Sequence, residues 1–400
     1  MTAAQHSKRH CMIVHAHYPI GEVRVEREAL ALLANGYEVD VICLRTNGEP
    51  ATSVEDGVHV YRLPVTRHKG KGVFVQFLEY LAFFFLALVK VTRLHAKRKY
   101  GTVQAHNLPD FLIFAGLVPK LTGSRLLLDL HDLMPEFFAA RFRGSMKSWP
   151  VRVLCWQEKL SCRFADRVIT VTELWRQTLI RRGVPPEKVT VVMNVANERI
   201  FHRSPIPDSA WQHNGHFNLI YHGQISQRYG IDLALQAIDL LRQDIPYIQL
   251  TVHGRGDYLD ELRALADRLG LGDHVRFSTQ YVPTQDLPKV IASADAGVIP
   301  YRRDIFTNEI LPTKLMEYTA LGIPAISART SAIAAYFDED MVQYFTPEDV
   351  QDLARCIRLL HRDRERLRQL RENSDRFNQQ YNWGKVSAHY VALVNQLNQL

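Results

Sequence analysis

The sequence predicts an α/β protein made of two doubly wound units. Three observations carry that expectation. The chain has 400 residues, more than one ordinary hydrophobic core organises. Short, continuously apolar runs alternate with helical stretches, which is the pattern of parallel strands covered on both faces. The alternation halts at a polar, proline-broken stretch over 194–216 and then restarts.

The elements follow in order. CMIVHA (11–16) is a first strand, a helix follows around 25–34, and Asn35 with Gly36 ends it. YEVDVICL (37–44) is the next strand, and TVQAH (102–106), RLLLDL (125–130), RVITVT (167–172) and VTVVM (189–193) continue the set. Beyond the linker come FNLIYH (217–222), a helix over 232–242, IQLTVH (248–253), a helix over 258–269, HVRF (274–277), DAGVIP (295–300) and PAISA (324–328). YNWGKVSAHYVALVNQL (381–397) has the pattern of an amphipathic helix. The expected division is a first Rossmann-like domain over 1–200, a second over 201–380, and a C-terminal helix over 381–400 that packs back on one of them, the N-terminal domain in the first instance. In such an architecture the two domains face each other across a cleft, with ligands at the carboxyl ends of the strands.

Hydrophobic content of 46% and charged content of 23% are globular values. The five cysteines form no C-x-x-C pair and are odd in number, so a disulfide frame and a zinc site are both disfavoured. MTAAQHSKRH is polar and precedes Cys11 without an apolar run, so no secretory leader is expected and the cytoplasm is the default compartment. A net charge of +7 fits phosphorylated ligands, an anionic membrane or nucleic acid. The chain has no zinc finger and no aromatic-basic RNA-binding motif, which sets nucleic acid aside.

The stretch NEILPTKLMEYTALGIP (308–324) holds Glu309 and Glu317 on either side of a predicted helix start at Pro312 and Thr313; Gly322 and Pro324 close that helix. A helix start offers unpaired N–H groups and a positive dipole end, which suit phosphate. Carboxylates beside it suit sugar hydroxyls, so the pattern fits a nucleotide-sugar; solvated helix charges are the plainer alternative. GQISQRYG (223–230) follows a strand and places Arg228 on a loop where a guanidinium meets a diphosphate or simply solvent. HGRGDYLDEL (253–262) puts Gly254 and Gly256 in a tight strand-to-helix turn, close to a ligand or not. DLHDLMPE (129–136) puts His131 after a strand, either to bond a sugar hydroxyl or transfer a proton, or to cap the strand end; Asp132 orients it or caps the next helix. His15-Ala-His17 and Asp338-Glu339-Asp340 lack the further ligands a metal needs, and no metal site is expected.

VFVQFLEYLAFFFLALV (73–89) is apolar nearly all round, broken by Gln76 and Glu79, and falls short of the roughly 20 residues that span a bilayer. Arg67, Lys69 and Lys71 precede it, and Lys90, Arg93, Lys97, Arg98 and Lys99 follow. That composition suits a helix lying on an anionic surface through residues 67–99; a helix buried on the first sheet is the alternative. Phe83, Phe84 and Phe85 cannot all face one core, which favours the surface.

Together these motifs resemble the retaining glycosyltransferases of family 4, which have the GT-B fold. The resemblance runs over most of the chain and is strongest from about 217 to 384, through GQISQRYG, HGRGDYLDEL, ADAGVIP, the spaced glutamates with ALGIPAIS, and FNQQYNW. The first domain matches through REALALLANGYEVDVI, LDLHD and ADRVITVT. What the resemblance implies is a set of roles. Glu309 contacts the donor sugar and Glu317 the ribose. The backbone of Ile310, Leu311, Thr313 and Lys314 cradles the diphosphate. Arg228 neutralises the leaving nucleotide, and Lys314 assists. Gly223, Gln224 and Gly254 lie beside the donor, and Tyr281 and Val282 lie by the base. His131 faces the reaction centre, while Gly21, Arg24, His106, Asn107 and Asp132 stand on the acceptor side. Gln224 replaces a common arginine, Tyr229 a common lysine and Pro312 a common glycine. The implied chemistry is metal-independent, cofactor-free transfer of a sugar from a nucleotide-sugar to a lipid-linked or polysaccharide acceptor at the inner membrane face. Two other classes fit less well: a silent nucleotide-sugar-binding subunit, and a same-fold epimerase or hydrolase.

Overall fold

The structure, a computed structural model, describes residues 8–67, 72–142, 144–203 and 216–399. Lys69, Lys71 and linker residues 204–215 lie outside the described residues. The chain divides into two compact units: Met1–Asn194 with Lys385–Leu400, and Val195–Gly384.

Unit 1 carries a sheet of β1 (Arg9–Val14), β2 (Glu38–Leu44), β3 (Thr52–Glu55), β4 (Val58–Leu63), β5 (Thr102–His106), β6 (Arg125–Leu130), β7 (Arg167–Thr170) and β8 (Val189–Val191), in the order β3-β4-β2-β1-β5-β6-β7-β8. Every pairing is parallel except β3 with β4. That hairpin was not expected from the sequence. It turns at Asp56 (φ 48°) and Gly57 (φ 88°), the two left-handed residues that such a hairpin turn requires. Helix α1 (Val23–Ala34) buries Val25, Ala29 and Leu32 on the sheet, and Asn35 caps its end as anticipated. The strands of 11–16 and 167–172 stop earlier than the apolar runs do, at Val14 and Thr170.

Helix α2 corrects the sequence expectation in length. It runs Val73–Arg98, 26 residues, because Lys90, Arg93 and Lys97 are helical positions and not a flank. By length and composition it could cross a membrane. In the structure one stripe of it lies on unit 1: Tyr80, Phe83, Ala87, Val91 and His95 are buried. Phe83, Phe84 and Phe85 part company as expected, the first buried, the second half-buried on Phe111, the third exposed. Helix α3 (Trp149–Phe164) buries Val151, Glu158, Ser161 and Cys162.

Unit 2 carries β9 (His216–His222), β10 (Tyr247–His253), β11 (Val275–Ser278), β12 (Ala296–Ile299), β13 (Ala325–Ala328) and the unanticipated β14 (Gln343–Phe345). All pairings are parallel, in the order β11-β10-β9-β12-β13-β14. This is a doubly wound order with its reversal between β9 and β12, the position at which sheets of this kind take ligands at their strand ends. Helix α4 (Ile231–Leu241) is buried along most of its length. Helix α5 (Thr313–Leu321) starts after Pro312 and ends at Gly322 (φ 71°), as its sequence signals require. The last helix, α6 (Trp383–Gln399), sends Tyr390, Val391, Leu393, Val394 and Leu397 into the core of unit 1 beside Met12, Leu32 and Val39.

Candidate functional site

The reversal point of unit 2 gathers most of the donor-side residues. β9 ends in Tyr221 and His222, and the chain then turns through Gly223 (φ 111°) and Gln224. β12 ends before Tyr301, and the following segment leads to Glu309 and α5. Asp304 builds that segment by accepting from the Phe306 and Thr307 amides at 2.8 and 2.7 Å. Arg302 braces it with two bonds to Asp232 of α4, at 2.8 and 2.6 Å. Glu309 closes a single 3-10 turn, Thr307–Glu309, and Ile310 leads on in extended form. Glu317 lies one turn into α5, and its Oε2 sits 2.5 Å from His222 Nε2. His222 Nδ1 in turn meets the Tyr318 hydroxyl at 3.0 Å. The carboxylate is thus held from the strand side.

Lys314, on the first turn of α5, is buried. Its Nζ donates to the Tyr221 hydroxyl at 2.8 Å, and that hydroxyl donates to the Gln224 carbonyl at 2.5 Å. Three tyrosine rings surround the ammonium, Tyr221, Tyr229 and Tyr301, at 4.0, 5.1 and 5.2 Å. Such rings attract a cation but do not neutralise it. Among the described residues no carboxylate lies within ion-pair distance of Nζ. Burial pushes the lysine pKa down to about 7, with Glu317 opposing the shift. Tyr229, which stands where the family commonly has a lysine, thus packs its ring on a lysine supplied by α5. Arg228 sits on the same loop with its guanidinium 5.6 Å from the Phe306 ring.

The glycines of HGRGDYLDEL have a local cause. A Cβ on Gly254 would lie 1.8 Å from the Gly223 carbonyl oxygen, and one on Gly256 would lie 1.7 Å from that of Ile225. What approaches them is the 223–225 backbone, so these glycines shape the neighbouring loop and do not themselves point to a ligand. Tyr281 and Val282 follow β11, the sheet edge, two strands away from β9.

In unit 1 the reversal lies between β1 and β5, and His106, Asn107 and His131 sit at the strand ends there. Their centre is Asp129, a carboxylate inside an otherwise apolar strand that the sequence reading passed over. Arg24 donates to both its oxygens at 2.8 and 3.0 Å. His106 Nδ1 meets it at 2.8 Å and His131 Nδ1 lies 3.4 Å away. Arg24 also reaches Glu28 at 3.2 Å and the Val192 carbonyl at 2.9 Å. Gln104 donates to Glu28 and accepts from Tyr390 of α6. Asn107 donates to Asp110 and to the Asp132 carbonyl, and its Oδ1 accepts from the His131 amide.

These contacts tie most of the expected acceptor-side residues into one network. Arg24, His106 and Asn107 are buried and bonded inward. Their bonds run to Asp129, Asp110 and the backbone of the His131 segment. Gly21 is an exposed residue at φ 114°, next to α1. His131 keeps 16% of its side chain exposed. Burial works against its charged form, but the bond to Asp129 and the charges of Asp129, Glu22 and Asp132 prevail, and the pKa rises to about 9. Asp129 resists burial in the same way: Arg24 and the histidines hold it well below the usual carboxylate range.

His106, Asp129 and His131 also place three ligand-type atoms within 4.8 Å of one another. The Arg24 guanidinium already covers both Asp129 oxygens and supplies the positive charge there. His15 packs on the Tyr80 and Phe83 rings, while Glu339 and Asp340 pair with Arg329 and Arg376.

Two family models match the chain. The model described as "Glycosyl transferase 4-like domain" covers residues 21–194, and "Glycosyl transferases group 1" covers residues 209–377. The amylovoran biosynthesis glycosyltransferase AmsK of Erwinia amylovora is 26% identical over 196 residues, 48% of this chain and 46% of that protein. The chain thus spans about half the length of the first curated relatives it matches. The chitobiosyldiphosphodolichol β-mannosyltransferase of Candida albicans is 22% identical over 83% of this chain and 76% of its own length. Among solved structures, sucrose-phosphate synthase from Thermosynechococcus elongatus superposes with a TM-score of 0.75 at 19% identity, over 97% of this chain and 99% of that one. Anabaena HepE, solved in complex with UDP-glucose, gives 0.71 at 17% identity, over 97% and 99%. At such identities the structures share the fold, which is GT-B.

Proposed function

The chain belongs to the group 1 glycosyltransferases, and from that premise we propose that it moves a sugar from a nucleotide-sugar to a lipid-linked or polysaccharide acceptor, with retention, at the cytoplasmic face of a membrane. The observation that carries the proposal is the Lys314 ammonium: buried, with no carboxylate at ion-pair distance among the described residues and only the more distant charge of Glu317 acting on it, at the reversal point of a doubly wound sheet. A buried cation left unpaired costs several kcal/mol unless an anion completes it. A nucleoside diphosphate is such an anion, and the first-turn N–H groups of α5 add donors beside it.

Each residue then has a task. Lys314 and Arg228 hold the diphosphate. Glu317, oriented through His222, accepts from the ribose with its Oε1. Glu309 accepts from hydroxyls of the donor sugar. The bond from the anomeric carbon to phosphate breaks with its electron pair going to the diphosphate. The acceptor oxygen bonds to the same face of that carbon and yields its proton to a leaving phosphate oxygen. Positive charge fixed beside the leaving group stabilises this transition state, so the protein's own cations do the work a metal would otherwise do. His131, whose protonated form the Asp129 carboxylate favours, donates a hydrogen bond to a substrate hydroxyl. Helix α2, with its outer apolar stripe and basic residues, brings the protein to an anionic membrane surface.

The test is a panel of nucleotide-sugars read by melting temperature and by product formation in the presence of a chelator. Specific stabilisation by one nucleotide-sugar is expected, with a product that keeps that donor's anomeric configuration. Glu309→Ala should keep nucleoside diphosphate binding and lose transfer. Binding without turnover on any acceptor would favour a silent subunit, and conversion of the donor alone would favour an epimerase or hydrolase. If no nucleoside diphosphate binds, the proposal fails.

A further inference from the structure

Helix α3 turns a tryptophan stripe to solvent. Trp149 and Trp156 are 77% and 63% exposed, and Val153 and Leu160 are exposed with them. Their spacing of three and four residues places all of them on one helix face. Arg152, Lys159 and Arg163 are exposed along the same helix. Its one carboxylate, Glu158, is buried and tied to Arg182 at 2.8 Å, so no negative charge reaches the outer face. Tryptophan is rarely left in water to this extent, and two on one stripe call for a partner.

The neighbourhood indicates which partner. The 3-10 segment Asp110–Gly116 packs against both α2 and α3, through the ring pairs Phe84–Phe111 at 5.8 Å and Phe114–Phe164 at 4.8 Å. The two helices therefore flank one segment, and each buries its opposite stripe in unit 1. The outer stripe of α2 carries Phe74 and Phe85, 72% and 59% exposed.

We propose that α3 is a second bilayer contact, with Trp149 and Trp156 seated at the headgroup boundary of an anionic leaflet beside α2. Tryptophan favours that boundary because its ring is apolar and its N–H is polar. Arg152, Lys159 and Arg163 reach the headgroups while their stems stay with the apolar stripe. A second copy of this chain is a poor occupant, since a symmetric contact would set the same three cations face to face. The proposal rests on the surface reading of α2 for its partner, but it makes its own demand, that the indoles enter the acyl region.

Vesicles of phosphatidylcholine with phosphatidylglycerol, with and without brominated acyl chains, test it on the full chain. Brominated lipid should quench the tryptophan emission of the native protein, and Trp149→Phe/Trp156→Phe should lose most of that quenching. Trp149→Ser/Trp156→Ser should weaken vesicle binding by about tenfold or more with an unchanged melting temperature, since both side chains are exposed. Vesicles of phosphatidylcholine alone should bind at least about tenfold more weakly. If vesicles bind in a way that Phe74→Ser/Phe77→Ser abolishes, yet bromine leaves the emission unchanged, the α3 contact is overturned and α2 stands. No vesicle binding at all overturns both. A lipid-free dimer that the double serine variant dissociates also overturns it, in favour of a second copy.

Discussion

In unit 1 the buried guanidinium of Arg24 meets two carboxylates, Asp129 and Glu28, and two histidines share the first of them. In unit 2 the buried ammonium of Lys314 meets a hydroxyl and three aromatic rings. The first cluster is internally compensated, and its residues mostly hold one another and the His131 segment. The second carries a charge that no carboxylate pairs at ion-pair distance among the described residues, with only the more distant Glu317 opposing its loss. Charge-paired polar networks rigidify, whereas a buried charge without a close counter-charge is a cost that a bound anion removes. The difference separates positioning from binding without reference to any ligand.

The largest effect should come from Asp129→Asn. It leaves Arg24 with one weakened neighbour and should cost about 3 kcal/mol of stability, read as a lower urea midpoint. A change under about 0.5 kcal/mol would mean that the unit 1 cluster is not compensated in the way described. Lys314→Met tests the other side. It should weaken nucleoside diphosphate binding about 100-fold, measured by calorimetry, while stability stays level or rises because a buried unpaired charge is gone. Equal affinity would remove Lys314 from the diphosphate, and a fall in stability would show that the tyrosine cage suffices to hold it.

The smallest effect lies in the pH dependence, and the two clusters should oppose each other. The pKa of His131 is raised from 6.5 to about 9, so its stabilising contribution is complete below about pH 6.5 and is lost as pH climbs through 9. Lys314 is lowered from 10.5 to about 7, so between those values the unfolded chain holds the proton more firmly and native stability rises with pH. Between pH 7 and 9 the terms differ in sign, each by about 1–2 kcal/mol. Urea midpoints at several pH values should therefore fall more steeply with pH in Lys314→Met than in the native protein, and less steeply in His131→Gln. Three parallel curves would dismiss both assignments.

Much of the fold was legible because parallel strands buried on both faces announce themselves as unbroken apolar runs; TVQAH and RLLLDL matched β5 and β6 residue for residue. The β3–β4 hairpin was missed although Asp56-Gly57 marked it, since edge strands mix polar and apolar residues. Helix α2 was read short because its run of lysines and arginines looks like a flank, although Lys90 lies over the Tyr61 ring and Arg98 pairs with Asp40. Glu309, Lys314 and Glu317 were legible since one stretch of chain holds them. Asp129, His222 and the tyrosine cage were not, because strands distant in sequence bring them together. A carboxylate within LLLDL was the available signal for Asp129.

The return of α6 to unit 1 bears on how the protein is made. Residues up to 194 leave the ribosome well before Tyr390, Val391 and Val394, which complete their core. At a few to twenty residues per second, that interval is about ten seconds or more. Unit 2 is contiguous and can finish folding as it emerges, while unit 1 waits with an apolar face uncovered. A chain that stalls or is cut before Lys385 would therefore carry a sound second half and an open first half, a form that chaperones and proteases would meet first.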